Sequence, residues 1–298
     1  MTRRLGRIAL VALLVVAEIA TLAGIAYVLR TAMGERRAWS LRRGLLGTGG
    51  PVEMRREQFI PLADLEGTLF VRNDVGSIVL QGGTSGFGVR AVLRGFGTSE
   101  ADAEESLGLV DLVVDKTAEG TLIEARTGRG WWGRRPHWDL EVTLPHGAKA
   151  DLFAAMGSVT VHDWQGALRV EASMGRVTVV DFAGDLTTLA KMGSVEIERV
   201  DIEEVLDVEA NMGSVKFAGN LGHTNSIRAN MGSITVVLRR EHPAVQLQAR
   251  LNMGKLHNDL PFAGESSRER VNGVLGTGTP QGSLELHADM GKIVVRSE

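Results

Sequence analysis

The residues of this sequence best suited to metal chemistry are seven methionines in its second half, each followed by glycine. They are Met156, Met174, Met192, Met212, Met231, Met253 and Met290. Thioether sulfur is a soft ligand suited to Cu(I), so a column of methionines raises a copper site as one interpretation. Packing in a core is the alternative, because Met fills irregular apolar gaps. No histidine accompanies the pairs regularly and the chain has no cysteine. The sequence therefore favours inward-facing methionines, with no metal and no cofactor.

A second candidate is a pair of carboxylates, Asp163 and Asp181, each seven residues after a methionine. Two stacked carboxylates can bind a cation, and a polysaccharide-cleaving enzyme needs carboxylates clustered across neighbouring strands. The equivalent position in the next unit is Arg199, so the acidic column stops there. His162 is the nearest base, and a lone histidine beside one acid is more often a surface residue. The sequence predicts no catalytic residue and no enzymatic activity, with a polysaccharide-acting β-helix enzyme as the less favoured alternative.

Tryptophan and arginine cluster in one short stretch that is typical of a loop. The five residues are Trp131, Trp132, Arg134, Arg135 and Trp138. Both residue types are enriched where a few side chains carry most of the energy of a protein interface. The five residues are therefore the candidate interaction surface. The alternative is that the rings fold over the end of the neighbouring β region.

The spacing of the Met-Gly pairs predicts the fold. The first five stand 18, 18, 20 and 19 residues apart, and the next two come after 22 and 37. Leu168 and Val170 alternate with charged residues before one pair, and Val177 and Val179 alternate with polar residues after it. A period of two indicates strands, and stacking such units makes a continuous core. The predicted fold class is an all-β β-solenoid, a single-stranded β-helix with rungs of about 18–22 residues.

This repeat supports three further expectations. The glycines are expected where the backbone needs positive φ or where successive corners approach too closely for a Cβ. Asn211, Asn230 and Asn252 each precede a methionine and are expected to form a hydrogen-bonded ladder. The predicted core consists of the apolar pair after each corner, namely Val159, Val161, Val177, Val179, Val195, Ile197, Val215, Phe217, Ile234, Val236, Ile293 and Val295.

The N-terminus carries a 22-residue apolar stretch, Ile8 to Leu29, preceded by three arginines. This length is enough to span a bilayer as a helix. No small-residue cleavage site precedes Arg30, so an uncleaved transmembrane anchor is predicted. More arginines come after the stretch than before it, and the positive-inside count therefore opposes an external domain. An extracytoplasmic domain is still expected, because short basic N-terminal anchors commonly export the domain attached to them.

The predicted organisation has five parts. Residues 1–7 form a cytoplasmic N-terminus, 8–29 the transmembrane anchor, 30–57 a basic juxtamembrane linker, 58–147 an N-terminal β region and cap, and 148–298 the Met-Gly repeat solenoid. A short helix is expected near residues 99–107, with Ser99 and Asp102 at capping-box spacing. Residues 1–57 have a net charge of +6, from ten arginines and four acids. They suit anionic lipid headgroups.

The remaining residues, 58–298, hold 23 basic and 32 acidic side chains, a net charge of −9. An acidic module of this kind excludes general binding to nucleic acid. The absence of cysteine excludes disulfides and cysteine chemistry.

One stretch resembles a known family. Leu140-Glu141-Val142-Thr143-Leu144-Pro145, then Leu152 to Ala155 and Met156-Gly157-Ser158-Val159 with the later Gly-Ser-Val copies, resemble the "putative adhesin" family of bacterial envelope proteins. That family has repeated β-strands and no known function. The resemblance covers roughly residues 58–298 and implies a β-solenoid associated with the cell envelope. It carries over no site residues, and this sequence departs from the family pattern in its regular methionines and its tryptophan cluster.

The functional hypothesis is a non-catalytic, membrane-anchored envelope scaffold or interaction module at the cell membrane. The alternative is a regulatory or sensory subunit of an envelope-stress response. Expected partners are membrane lipid through the anchor, and either cell-wall material or an envelope signalling protein. Weak self-association is also expected, because Ile293 and Val295 end a final strand only three residues before Glu298.

Overall fold

The computed structural model describes residues 52–62, 67–83, 87–127, 136–239 and 242–298. These residues form one helix and eighteen strands. The helix is α1 Glu100–Leu107, and the strands are β1 Val52–Pro61, β2 Thr68–Val75, β3 Ile78–Gln81, β4 Gly88–Gly97, β5 Val110–Thr117, β6 Gly120–Thr127, β7 His137–Thr143, β8 Lys149–Met156, β9 Val159–Gln165, β10 Leu168–Met174, β11 Val177–Met192, β12 Val195–Met212, β13 Val215–Asn220, β14 Thr224–Leu238, β15 Val245–Asn258, β16 Phe262–Ser266, β17 Arg270–Leu275 and β18 Gly282–Ser297.

The apolar core runs between strands in which buried and exposed side chains alternate. In β10, Leu168, Val170 and Ala172 are buried while Arg169 is exposed. All twelve core residues predicted from the repeat are at most 1 % exposed. The prediction of the core and of an all-β structure is confirmed, because a period of two in the sequence reports directly which face of a strand each residue occupies.

The predicted β-solenoid is wrong, because the sheet mixes parallel and antiparallel pairs and the strands at its two ends do not pair in sequence order. The strands form one 18-stranded sheet with parallel and antiparallel pairs. At one end β18 lies between β14 and β15, pairing in parallel with both. At the other end β2 lies between β6 and β8. Antiparallel pairs add further strands, including β1 with β4, β4 with β7, and β15 with β17.

Self-association was expected from an uncovered edge at the final strand, and the position of β18 shows that this strand has no such edge. Ile293 pairs with Ile234 on one side and with Leu256 on the other. Val295 likewise has Val236 and Asn258 as neighbours, and its side chain is buried. The final strand is therefore internal to the sheet and does not offer the uncovered edge that the sequence suggested.

The helix α1 packs against β4 and β1 at the N-terminal side of the fold. Ser99 caps it, with its hydroxyl accepting from the Asp102 backbone N–H while the Asp102 carboxylate accepts from the Ser99 backbone N–H. This is the capping box that the sequence predicts. Gly97 and Gly95 of β4 lie under the helix, where a Cβ would meet Ala103 atoms at 2.3 and 2.6 Å. The short helix therefore needs a strand with no side chain beneath it.

The predicted transmembrane anchor at residues 8–29 lies outside the described residues. Within the residues that the structure describes, no helix is long and apolar enough to cross a membrane. β1 runs through the predicted boundary between linker and β region, since Glu57 pairs with Val92 and Gln58 with Ala91. The sheet therefore includes residues that the sequence placed in the linker.

Candidate functional site

The seven methionines of the Met-Gly pairs form one row across the sheet, named here the methionine ladder. Met156 pairs in register with Met174, Met174 with Met192, Met192 with Met212, Met212 with Met231, Met231 with Met290, and Met290 with Met253. Adjacent strands lie about 4.8 Å apart, so the six steps extend over roughly 29 Å. The repeat thus brings together residues that are as many as 134 positions apart in the sequence (290 − 156).

The ladder lies on the surface, so the prediction that these methionines face the core is wrong. Met174, Met192, Met212, Met231 and Met290 are 42–46 % exposed, and Met253 is 60 % exposed. The alternation of β10 ends at the buried Ala172, and burial resumes only at Val177. The intervening corner turns the chain, which takes Met174 out of the inward register that the strand predicts.

The glycine after each methionine is required by close approach of the backbone. Gly175 has φ 156°, and a Cβ there would lie 1.9 Å from the carbonyl oxygen of Gly157. At Gly193 the corresponding distance to the carbonyl oxygen of Gly175 is 1.8 Å. The expectation of positive φ and corners packed too closely for a Cβ is confirmed at both positions.

Polar residues hold the ladder on either side of its centre. Asn230 Nδ2 donates to Asn211 Oδ1 at 2.8 Å, one residue before the methionines of β14 and β12. Two residues after those methionines, the Ser233 backbone N–H donates to Ser214 Oγ at 3.2 Å. These two bonds tie β12 and β14 together on both sides of Met212 and Met231.

The predicted asparagine ladder has a different third member. Asn252 Nδ2 donates to Asp289 Oδ1 at 2.7 Å and not to Asn230, because β18 lies between β14 and β15. Asp289 is also 3.2 Å from His287 Nε2. The row next to the methionine ladder therefore continues as Asn211, Asn230, Asp289 and Asn252.

Of the two carboxylates considered for a cation site, Asp181 forms an ion pair with Arg199. Asp163, Asp181 and Arg199 occupy the equivalent corner positions of β9, β11 and β12, and their φ angles are 49°, 55° and 53°. Arg199 Nε donates to Asp181 Oδ1 at 2.7 Å, and Nη2 donates to Oδ2 at 2.9 Å. The hydrogen bonds from Arg199 lower the pKa of Asp181. Asp181 is thus neutralised by an arginine. Among the described residues, no group of three or more His, Cys, Asp and Glu side chains is placed to hold a metal ion.

The candidate interaction surface is only partly within the described residues. Trp131, Trp132, Arg134 and Arg135 lie outside them. Trp138 is in β7 and only 4 % exposed, on the same inward face as Leu140 and Val142. Its backbone carbonyl accepts from Asn73 Nδ2 at 2.7 Å. Trp138 is therefore a core residue, and it does not belong to an exposed surface.

One half-buried carboxylate was missed by sequence reasoning. Asp139 Oδ1 accepts from the Ser77 backbone N–H at 3.0 Å and from Ser77 Oγ at 2.7 Å, while Oδ2 accepts from Arg94 Nε at 2.9 Å. Burial alone raises the pKa of an aspartate, but these hydrogen bonds leave the pKa of Asp139 below its ordinary value. The two partner residues, Ser77 and Arg94, are distant from Asp139 in sequence, so no local pattern points to this cluster.

Comparison with known proteins gives structural likenesses only. No family model and no curated protein matches the sequence. A "putative cell adhesion protein" from Clostridium sporogenes is 12 % identical, covers 82 % of this chain and 100 % of its own, and has a TM-score of 0.37. A "putative adhesin" from Bacteroides fragilis is 10 % identical, with coverage of 86 % and 100 % and a TM-score of 0.37. A "putative adhesin" from Parabacteroides distasonis is 11 % identical, with coverage of 82 % and 97 % and a TM-score of 0.28.

The descriptions of these structures agree with the family resemblance found in the sequence. At these identities and TM-scores they carry no residue role, substrate or partner over to this chain. The candidate site is therefore defined by the chain's own geometry, and its main feature is the exposed methionine ladder.

Proposed function

We propose that this chain is a non-catalytic interaction module of the cell envelope, which binds cell-wall material. In this proposal the apolar segment Ile8 to Leu29 holds the protein at the cell membrane, with the sheet on the outer side. The basic residues between this segment and β1 contact anionic lipid headgroups. The proposal concerns an adhesin-like role, and the sheet is the part that meets the partner.

The observation that carries the proposal is a row of half-exposed side chains on the outward face of five parallel strands. Thr160, Thr178, Glu196, Lys216 and Thr235 are neighbours in register on β9, β11, β12, β13 and β14. Backbone hydrogen bonds fix the spacing of this row, so contact with an extended polymer requires little ordering of the protein. A preorganised surface loses less conformational entropy on binding than a flexible loop does.

Charges on the row are held in place. Lys216 Nζ donates to Glu196 Oε1 at 3.2 Å and also to Glu198. Hydrogen bonds to Glu198, and to a smaller extent to Glu196, raise the pKa of Lys216. The row therefore presents hydroxyls and charges of both signs at fixed positions. Such groups suit hydrogen bonding to the hydroxyl, amide and carboxylate groups of a cell-wall glycan and its peptides.

Trp131, Trp132, Arg134 and Arg135 are included in the proposal as a second contact. Their side-chain types suit a sugar ring or a headgroup, through stacking and through charge-assisted hydrogen bonds. Replacing Trp131 and Trp132 by alanine should weaken wall binding while leaving the far-UV circular dichroism unchanged. If that variant bound the wall as wild type does, the tryptophans would have no part in binding.

The main test is co-sedimentation of the full-length protein with purified cell-wall sacculi. A Thr178→Ala/Lys216→Ala variant should remain in the supernatant, while the control Arg228→Gln should sediment as wild type does. Arg228 is partly exposed and paired with Asp207 on a different row, which makes it a matched charge change. Equal sedimentation of both variants would overturn the assignment of the row. Recovery of a membrane kinase or transporter from native membranes, without wall binding, would instead support the regulatory alternative.

A further inference from the structure

The methionine ladder is unusual in composition as well as in exposure. Seven of the ten methionines of the chain occupy this one row. In contrast, the buried rows beside it are filled by Val, Ile, Leu, Ala and Phe. Met is scarce in this sequence, whereas Val, Leu and Ile are common. A row of seven methionines therefore indicates a role that aliphatic side chains cannot fill.

Packing at the corner does not require methionine. Val75 of β2 pairs in register with Met156 and is followed by Gly76, which has φ 120°. A valine therefore fits the same corner, next to the same kind of glycine. Burial does not require methionine either, because the ladder side chains are about half exposed. The two properties that remain specific to methionine are its flexibility and its thioether sulfur.

The register places the methionines of adjacent strands side by side. Met212 and Met231 are direct neighbours in register, with Met192 before them and Met290 after them. The strand spacing of about 4.8 Å allows the unbranched side chains of two adjacent strands to meet at one ion. Soft thioether ligands select Cu(I) over the harder divalent metals.

The charges along the ladder single out its centre. Met212 is flanked by Asn211 and Ser214, and Met231 by Asn230 and Ser233, all of them neutral. The flanking strands instead carry cationic side chains beside their methionines, where they would repel a cation: Lys191 directly before Met192, and Arg176, Lys255 and Lys292 two residues after Met174, Met253 and Met290. Asp289, directly before Met290, adds a carboxylate on the side of β18. The hydrogen bonds of Asn230 to Asn211 and of Ser233 to Ser214 hold the two central strands in place.

We infer that the centre of the methionine ladder is a Cu(I) site, in which the thioether sulfurs of Met212 and Met231 bind one ion. Binding forms sulfur–copper bonds only, and no electron or proton is transferred. Ag(I), which has the same charge and similar softness but does not cycle in redox state, binds at the same place. Zn²⁺ and Mg²⁺ do not bind there, because they prefer nitrogen, thiolate or oxygen ligands.

The test uses the full-length protein with ¹³C-labelled methionine methyl groups, titrated anaerobically with Ag(I) and monitored by NMR. At the first equivalent, the methyl signals of Met212 and Met231 should shift most, and the signal of Met54 in β1 should not move. Competition of Cu(I) with a chromophoric chelator should show one tightly bound equivalent. The same titration with Zn²⁺ should leave all methyl signals in place.

The matched variants are Met212→Leu/Met231→Leu and, as control, Met54→Leu. Leucine keeps the apolar volume and removes the sulfur, so the double variant should lose the bound equivalent and keep the melting temperature. Met54→Leu should bind as wild type does. The proposal is overturned if the central methyl signals of the wild type stay in place at one equivalent of Ag(I), or if the double variant binds Cu(I) as well as the control does. The wild-type titration decides the outcome even where the double variant does not fold.

Discussion

Arg199 holds the carboxylate of Asp181 in a two-point ion pair, across two adjacent strands and at the position where both residues have positive φ. Both side chains are more than half exposed, and exposed pairs add little to stability. The main effect of the pair is therefore local. The pair joins two corners whose backbone conformation is uncommon for residues other than glycine. It also gives Asp181, one of the two carboxylates considered for a cation site, an arginine as its partner.

Gly193→Ala should destabilise the protein strongly, because the new Cβ would lie 1.8 Å from the carbonyl oxygen of Gly175 and φ is 151°. We expect a loss of at least about 2 kcal/mol in the free energy of unfolding, measured by urea denaturation. Gly147→Ala is the control, since φ is 83° but no atom lies within 4 Å of the added Cβ. It should cost only about 1 kcal/mol. Equal losses in the two variants would show that backbone conformation alone, and not the close approach, sets the cost.

Val179→Thr should destabilise the core by about 1–3 kcal/mol, because it replaces a methyl group by a hydroxyl of the same size at a fully buried site. The neighbours in register are Val161 and Ile197, which offer no hydrogen-bond partner through their side chains. The reverse exchange at the preceding residue, Thr178→Val, is the control and should change the unfolding free energy little. A larger loss from Thr178→Val than from Val179→Thr would mean that the inward register is assigned to the wrong residue.

Asp139→Asn should reduce stability at neutral pH by about 2 kcal/mol, because ionised Asp139 accepts charge-assisted hydrogen bonds from Ser77 and Arg94. The pKa of Asp139 is lowered in the folded state, so its contribution is present above the ordinary aspartate pKa of about 3.9. The contribution is lost as the pH falls below that value through the folded pKa. The difference between wild type and variant in urea midpoint should therefore shrink on acidification. A difference that stayed constant down to pH 2 would show that the carboxylate charge has no role.

Asp151→Asn should have the opposite effect and raise the urea midpoint at pH 7. Burial raises the pKa of Asp151, against the lowering effects of Arg72 and Arg169. Its charged form is therefore disfavoured by folding, and stability falls as the pH rises from the ordinary aspartate pKa through the raised one. The gain from the variant should disappear at low pH, where Asp151 is protonated. Asp207→Asn, at a partly exposed ion pair with Arg228, is the control and should leave the midpoint unchanged. A lower midpoint for Asp151→Asn would mean that its ion pairs outweigh burial.

Local patterns predicted the parts of the fold that depend on neighbouring residues. The alternation of Leu168, Val170 and Ala172 indicated the inward face of β10, and the Ser99 and Asp102 spacing indicated the cap of α1. The strand order could not be predicted in this way. A period of two shows which face a residue occupies and says nothing about which strand lies beside it. The insertion of β18 between β14 and β15 depends on contacts that are distant in sequence.

The sequence predicted the alignment of the methionines in the candidate site but not their exposure. The Met-Gly repeat indicated that the methionines share one row, because each pair marks the same corner of its unit although the spacing varies from 18 to 37 residues. Their exposure was missed because the alternation was extended through Met174 into the corner. The signal that could have corrected this was Gly175, since a glycine with positive φ marks the place where the strand alternation ends.

The insertion of β18 sets the order in which the sheet can form. One side of β14 along its whole length pairs with β18, yet residues 239–281 are synthesised between the two strands. Until β18 arrives, β14 exposes an unpaired edge and β15 has no parallel neighbour to join. Folding of this half must wait for a late segment, and pairings between distant segments form slowly because loop closure precedes the gain from contacts. The part of the sheet around β14 and β15 therefore stays open until β18 is available to pair with both strands.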